Sequence, residues 1–210
     1  MKLEISPIKQ KNEVGCGAAA MRMIYRYSGK DFSEEEIIKK IGGLTKWGSF
    51  TTDHALMARK IGFKVICHSY NLEYFEPGCK KISRADFIKK TKNLIKREKR
   101  VYNKRELKSI LRVLKNDIDF RMLMPSLGTI RKFLDKKLPV GIAVNSAVLF
   151  EKKKNLKFGH FIVLTGYEKD RFYYNDPVSG TEKIILADKL IFALSNNVFD
   201  SSAYFLVIRK

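Results

Sequence analysis

Cysteine is scarce in this sequence: there are three, Cys16, Cys67 and Cys79, too few and too odd in number for a disulfide scaffold. A metal centre built from Cys67, His68 and Cys79 is set aside too, because the three lack paired ligand spacing. Long apolar runs are missing, and no stretch approaches the roughly 18 residues that a membrane-spanning helix needs. The segment from Met1 to Asn12 carries charges but no apolar core of a secretory signal. The expectation is a cytoplasmic protein with no cofactor and no metal. Internal repeats and low-complexity linkers are absent as well, so nothing divides the chain.

What is present suits a packed domain. The chain has 210 residues, 45% of them hydrophobic and 11% aromatic, which excludes intrinsic disorder and allows a substantial core. One unit over residues 1–210 is expected, with a basic helical insertion at about 79–124. The charge is one-sided, with 42 Lys and Arg against 22 Asp and Glu. From Lys80 to Lys115 there are fifteen basic residues and three acids, Asp86, Glu98 and Glu106. Such a stretch is either a solvated helical face or a surface for an anionic partner, whether nucleic acid, membrane or acidic substrate. No nucleic-acid motif or aromatic stacking pattern accompanies it.

The order of elements predicts an α+β fold, helices first and antiparallel strands last. A helix over 16–27 is signalled by its alanine run and by Gly29 beyond it. Ser33 and Glu36 form a capping box for a second helix that stops at Gly42 and Gly43. A third, from about Thr52 to Ile61, stops at Gly62 and feeds a strand over 63–69. The basic stretch reads as helices over 84–98 and 104–116, the second capped by Asn103 and Glu106. Ser126 caps another helix through Lys137. Strands follow at 140–145, 159–167, 171–175 and 203–208, with a short helix at 187–194 before the last.

Two segments carry chemistry. In Gln10-Lys-Asn-Glu-Val-Gly-Cys16-Gly the thiol falls at the first turn of a helix, where unpaired N–H groups and the positive end of the dipole favour thiolate. Gly15 and Gly17 would leave room for a substrate carbonyl, and the Gln10 amide with the Cys16 N–H could form an oxyanion hole. Later, Gly159-His160-Phe-Ile-Val-Leu-Thr-Gly-Tyr167 and Arg171-Phe-Tyr-Tyr-Asn-Asp176-Pro177 form a hairpin about Lys169 and Asp170. His160 and Asp176 therefore fall near its open end, where the carboxylate could orient the imidazole. Asp176-Pro177-x-x-Gly180 also reads as a turn, which gives Asp176 a structural role as the alternative. His54 and His68 read as packing or surface residues, and Cys67 and Cys79 as inert thiols.

An early helix-start cysteine, a late strand histidine and an acid after it match the order of thiol hydrolases. The set Gln10-x5-Cys16-Gly17, Gly159-His160-Phe-Ile-Val-Leu-Thr-Gly166 and Asn175-Asp176-Pro177-x-x-Gly180 resembles the double-glycine, bacteriocin-processing cysteine peptidases. It is still more similar to their stand-alone relatives. The likeness extends to residues 48–62 and 127–144 and leaves out roughly 79–124. It implies a papain-like fold and cleavage of a peptide substrate, often after Gly-Gly in a leader. Carried over position by position, Cys16 is the nucleophile, His160 the base, Asp176 the orienting acid and Gln10 the oxyanion donor. The alternatives are a papain-like acyltransferase or amidase, and a non-catalytic module that binds anionic polymers or membrane through its basic helices. Gly42-Gly43 also resembles a self-cleavage site, although a helix stop explains the pair more simply.

Overall fold

A computed structural model of the chain describes residues 1–151, 159–199 and 201–210. The first three helices are α1 (Cys16–Tyr27), α2 (Glu34–Lys40) and α3 (Thr51–Lys60). The alanine run of α1 lets its inner face, with Met21, Ile24 and Tyr25, approach the sheet closely. Helix α2 opens with the expected capping box: the Ser33 hydroxyl accepts from the Glu36 N–H at 3.1 Å and the Glu36 carboxylate accepts from the Ser33 N–H at 2.7 Å. Gly29 and Gly62 take positive φ of 80° and 101° just past α1 and α3, ending each helix where an L side chain would be strained.

Strand β1 (Lys64–Ser69) follows, then α4 (Arg84–Arg97), α5 (Val101–Lys115) and β2 (Asp119–Met122). Helix α5 starts at Val101, and the expected cap from Asn103 and Glu106 does not form. Those side chains go elsewhere, Asn103 Nδ2 to Glu73 at 3.2 Å and Glu106 Oε2 to the Tyr74 hydroxyl at 2.5 Å. The far end of α5 is closed by Arg84, whose guanidinium donates to the carbonyls of Leu114 at 2.8 Å, Ile118 at 3.1 Å and Val113 at 3.3 Å, and to that of Asn116. The apolar sides of the pair, including Phe87, Leu107, Ile110 and Val113, are buried. Most of their lysines and arginines, such as Lys89, Lys92, Lys96 and Lys108, face solvent.

The remainder comprises α6 (Leu127–Asp135), β3 (Val140–Asn145), α7 (Ser146–Phe150), β4 (Gly159–Glu168), β5 (Arg171–Asp176), β6 (Thr181–Leu186), α8 (Ala187–Ser195) and β7 (Phe205–Arg209). The strands form one sheet in the order β2-β1-β7-β3-β4-β5-β6. The late strands pair antiparallel, as expected, and β1 joins them antiparallel to β7. Only β2, added parallel to β1, departs from that pattern among the described strands. Helix α1 lies against β3 and β4, and α3 against β1 and β7. No described helix is long and apolar enough to cross a membrane.

One irregularity in the hairpin decides where two side chains point. Glu168 pairs with Arg171, Tyr167 with Phe172 and Gly166 with Tyr173, but the next pairs are Leu164 with Tyr174 and Val163 with Asn175. Thr165 is thus a bulged extra residue in β4. Were Thr165 paired with Tyr174 and the bulge absent, Asp176 would stand opposite Val163, on the face of the sheet away from His160. With it, one further step of the ladder sets Asp176 opposite Ile162, two residues from His160 and on the same face.

Candidate active site

Cys16 is the first residue of α1 and is half-buried. The loop that presents it is tied down by Glu34 of α2, a buried carboxylate that accepts from the Lys11 N–H at 3.0 Å and Asn12 Nδ2 at 3.1 Å. The same loop is anchored to the sheet, because the Gln10 N–H donates to the Pro177 carbonyl at 2.8 Å and Asn175 Nδ2 to the Ile5 carbonyl at 2.7 Å. These contacts bring the start of α1 to the open end of the β4–β5 hairpin.

His160 is buried, and its Nε2–H donates to Asp176 Oδ1 at 2.8 Å. That bond fixes the tautomer and leaves Nδ1 as the nitrogen that meets the Cys16 thiol. Burial alone would push the thiol up, but the hydrogen bond and the charge of His160, with the N–H groups of Phe161 and Gly17, hold it below the ordinary thiol value. Burial likewise works against the charged imidazole, yet Asp176 and Cys16 raise His160 to about 9. The pair therefore favours thiolate and imidazolium over neutral thiol and imidazole. The Phe150 ring, 5.4 Å from that of His160, covers it.

Asp176 is fully buried, and each of its oxygens has two partners. Oδ1 accepts from His160 and from the Val178 N–H at 3.0 Å, while Oδ2 accepts from Lys183 Nζ at 2.7 Å and the Ser179 hydroxyl at 3.1 Å. Burial would raise the carboxyl, and these bonds overcome it, keeping Asp176 well below the usual carboxylate range. The turn is formed too, with the Gly180 N–H on the Asp176 carbonyl at 2.8 Å. Asp176 thus holds both the imidazole and its own turn. Lys183 was not singled out from the sequence; the available signal was a cation on the strand returning from that turn.

Gln10 is placed differently. Its Nε2 donates to the carbonyls of Asn12 at 2.7 Å and Glu13 at 3.0 Å, and Oε1 is buried without a hydrogen-bond partner among the described residues. Both amide N–H groups are therefore committed to the loop. The glycines beside Cys16 also have a reason within the fold. A Cβ at Gly15 would stand 2.4 Å from Glu34 Oε1, and one at Gly17 would stand 2.6 Å from Ser49 Oγ and 2.7 Å from His54 Nε2. Close protein neighbours alone favour glycine at both positions.

Ser49 Oγ and His54 Nε2 are themselves 2.7 Å apart, and burial lowers His54 to about 4, so that ring is neutral. His68 stacks on Phe205 with ring centroids 4.5 Å apart, and burial pushes the Cys67 thiol up. All three residues fit the packing role expected of them.

Cys16 and His160 lie in a cleft of about 470 Å³. One wall holds Trp47, Ser49 and Phe50, and another holds Ala143, Gly159 and Phe161. A third comes from the α4–α5 junction, with Arg100, Tyr102, Asn103 and Glu106, and a fourth from Asn197, Phe199, Ser201 and Ser202. Sequence reasoning read the basic stretch as a solvated face or a surface for an anionic partner; its α4–α5 turn also lines the cleft that holds the thiol.

Comparison with known proteins agrees with this architecture. The model of the Peptidase_C39 like family matches residues 2–200. Among solved structures, a C39-like peptidase from Bacillus anthracis superposes with a TM-score of 0.60 at 13% identity, over 100% of this chain and 98% of that one. The double glycine motif protease of an AMS/PCAT transporter, solved with its leader peptide, gives 0.51 at 16% identity over 99% and 92%. The peptidase domain of Streptococcus ComA gives 0.52 at 12% over 98% and 97%. At these identities the likeness establishes the fold, a papain-like peptidase fold. A search of curated proteins returns no match. Spanning nearly the whole length, the family match identifies the chain as a member of the Peptidase_C39 like family and hence as a cysteine peptidase.

Proposed function

We propose that this cysteine peptidase works through Cys16, His160 and Asp176, and cuts a peptide after a Gly-Gly pair in a leader segment. The observation that carries the reading is the connected chain of contacts, from the His160-lowered thiol of Cys16 to the 2.8 Å bond between His160 Nε2 and Asp176 Oδ1. The Cys16 thiolate attacks the scissile carbonyl, and the oxyanion that forms lies at the N-terminus of α1, where the Cys16 N–H donates to it. Gln10 supplies the second donor by releasing one of the two loop carbonyls that hold its amide. His160, as imidazolium, gives its proton to the leaving amine. It then takes one from the water that opens the thioester, so the enzyme returns to its starting state. Asp176 stays ionised throughout and keeps Nδ1 aimed at sulfur.

The Gly-Gly preference draws on the similarity to a double glycine motif protease solved with a leader peptide. An anionic partner for the stretch from Lys80 to Lys115 is not part of the reading. Its lysines form a solvated face, while Arg84, Arg100 and Arg112 are engaged with carbonyls or carboxylates of the fold.

The test is cleavage of leader-type peptides containing Gly-Gly, followed by mass. Wild type is expected to cut after the second glycine. Cys16→Ala is expected to abolish turnover while its melting temperature stays within a few degrees of wild type, and Gln10→Ala to lower kcat by on the order of 10-fold to 10²-fold. Turnover by Cys16→Ala would refute the nucleophile, and cuts elsewhere would refute the site preference.

A further inference from the structure

Among the described residues lining the cleft is a polar side chain that neither the fold nor the proposed mechanism uses. Asn197 follows α8, is 1% exposed, and lines the cleft. Neither Nδ2 nor Oδ1 has a hydrogen-bond partner among the described residues. A carboxamide carries two donors and an acceptor, and leaving both ends of it dry is unfavourable. Unpaired buried polar atoms therefore call for an explanation, and a ligand is one.

The surroundings show that the loop is built to hold this group still. Asn71, fully buried behind it, donates to the Phe199 carbonyl at 3.1 Å and the Ser201 carbonyl at 3.3 Å. The Ser201 hydroxyl donates to the Asn197 carbonyl at 3.0 Å, and the Asn197 N–H to the Leu194 carbonyl at 3.1 Å. The backbone of Asn197 is thus fully engaged, and among the described residues its carboxamide alone is left unpaired. That carboxamide stands over Gly159: a Cβ there would be 3.1 Å from Oδ1 and 3.3 Å from Nδ2. Gly159 immediately precedes His160, so the amide sits on the histidine side of the cleft.

We propose that Asn197 is a substrate-binding residue that holds the backbone of the peptide segment leaving after scission. The assignment rests on the peptidase reading above. The imidazolium of His160 delivers its proton to the departing amine, so the segment beyond the scissile bond must pass along the His160 side. A peptide unit there offers an N–H and a C=O, the complement of the Asn197 Oδ1 and Nδ2. A backbone contact of this kind holds the leaving segment in line without demanding a particular side chain.

Two substrates test the assignment: a decapeptide with Gly-Gly at its centre, and its first half ending in Gly-Gly-aminomethylcoumarin, which has no peptide beyond the cut. Asn197→Ala is expected to lower kcat/KM for the decapeptide by about 10-fold to 100-fold, while leaving the coumarin amide within about twofold and Cys16 alkylation unchanged. In wild type, N-methylation of the first amide beyond the cut is expected to weaken the decapeptide comparably, and to add little in Asn197→Ala. That second measurement stands even if the variant folds poorly. Equal losses on both substrates, no loss on either, or no effect of N-methylation in wild type would overturn the assignment. If wild type cut neither substrate, the Gly-Gly reading itself would fail, and the Asn197 role with it.

Discussion

At the scale of single residues the account turns on which groups hold protons. Cys16 loses its proton below the ordinary thiol range and His160 keeps its own up to about 9. The proposed mechanism needs thiolate and imidazolium together, so kcat/KM should rise with pH as Cys16 ionises and fall as pH passes about 9. Asp176 is one cause of the raised imidazole, and its negative charge favours the protonated ring. Asp176→Asn should therefore move the alkaline limb to lower pH and reduce kcat by on the order of 10²-fold, which a pH–rate profile would show. An unmoved limb would mean that the carboxylate does not act on the ring. Gly17→Ala drives a methyl group into Ser49 and His54 and should destabilise the fold by about 1–3 kcal/mol, read from urea unfolding.

At the scale of elements, much was legible where a local rule decides the outcome. The alanine run of α1, the Ser33–Glu36 box of α2 and the glycine stops after α1 and α3 are all local, and they form as the sequence indicates. Strand β2, with four residues, and helix α7, with five, are too short for periodicity to register. Edge strand β6 exposes Ile184 and Leu186, so it lacks the alternation that marks a half-buried strand. Asn103 and Glu106 resembled a cap, but the tertiary partners Glu73 and Tyr74 took them. The Thr165 bulge was invisible in the same way, because alternation along β4 says nothing about the register of its partner. Yet it is the bulge that puts His160 and Asp176 on one face. Arg84→Ala, which strips four carbonyls at the end of α5 of their donor, should cost about 1–2 kcal/mol in urea unfolding.

For the whole molecule, the two halves of the chain supply the two halves of the proposed site. The helical half presents the thiol at the start of α1, and the sheet presents the imidazole and its carboxylate. The stretch expected as a basic insertion closes the cleft through its α4–α5 turn while its lysines remain in water. Exchanging Lys89, Lys92, Lys96 and Lys99 for glutamine should therefore leave cleavage of a neutral peptide within about twofold; a large loss would give the charge a part in catalysis. The central claim is that His160 activates Cys16. It is tested most directly by the rate at which iodoacetamide labels each cysteine against pH, read by peptide mass in wild type and His160→Ala. The account predicts that at about pH 6 Cys16 reacts far faster than the buried Cys67 and Cys79, and that losing His160 slows it strongly. Labelling of Cys16 no faster than the other two, and only above about pH 8, would contradict it.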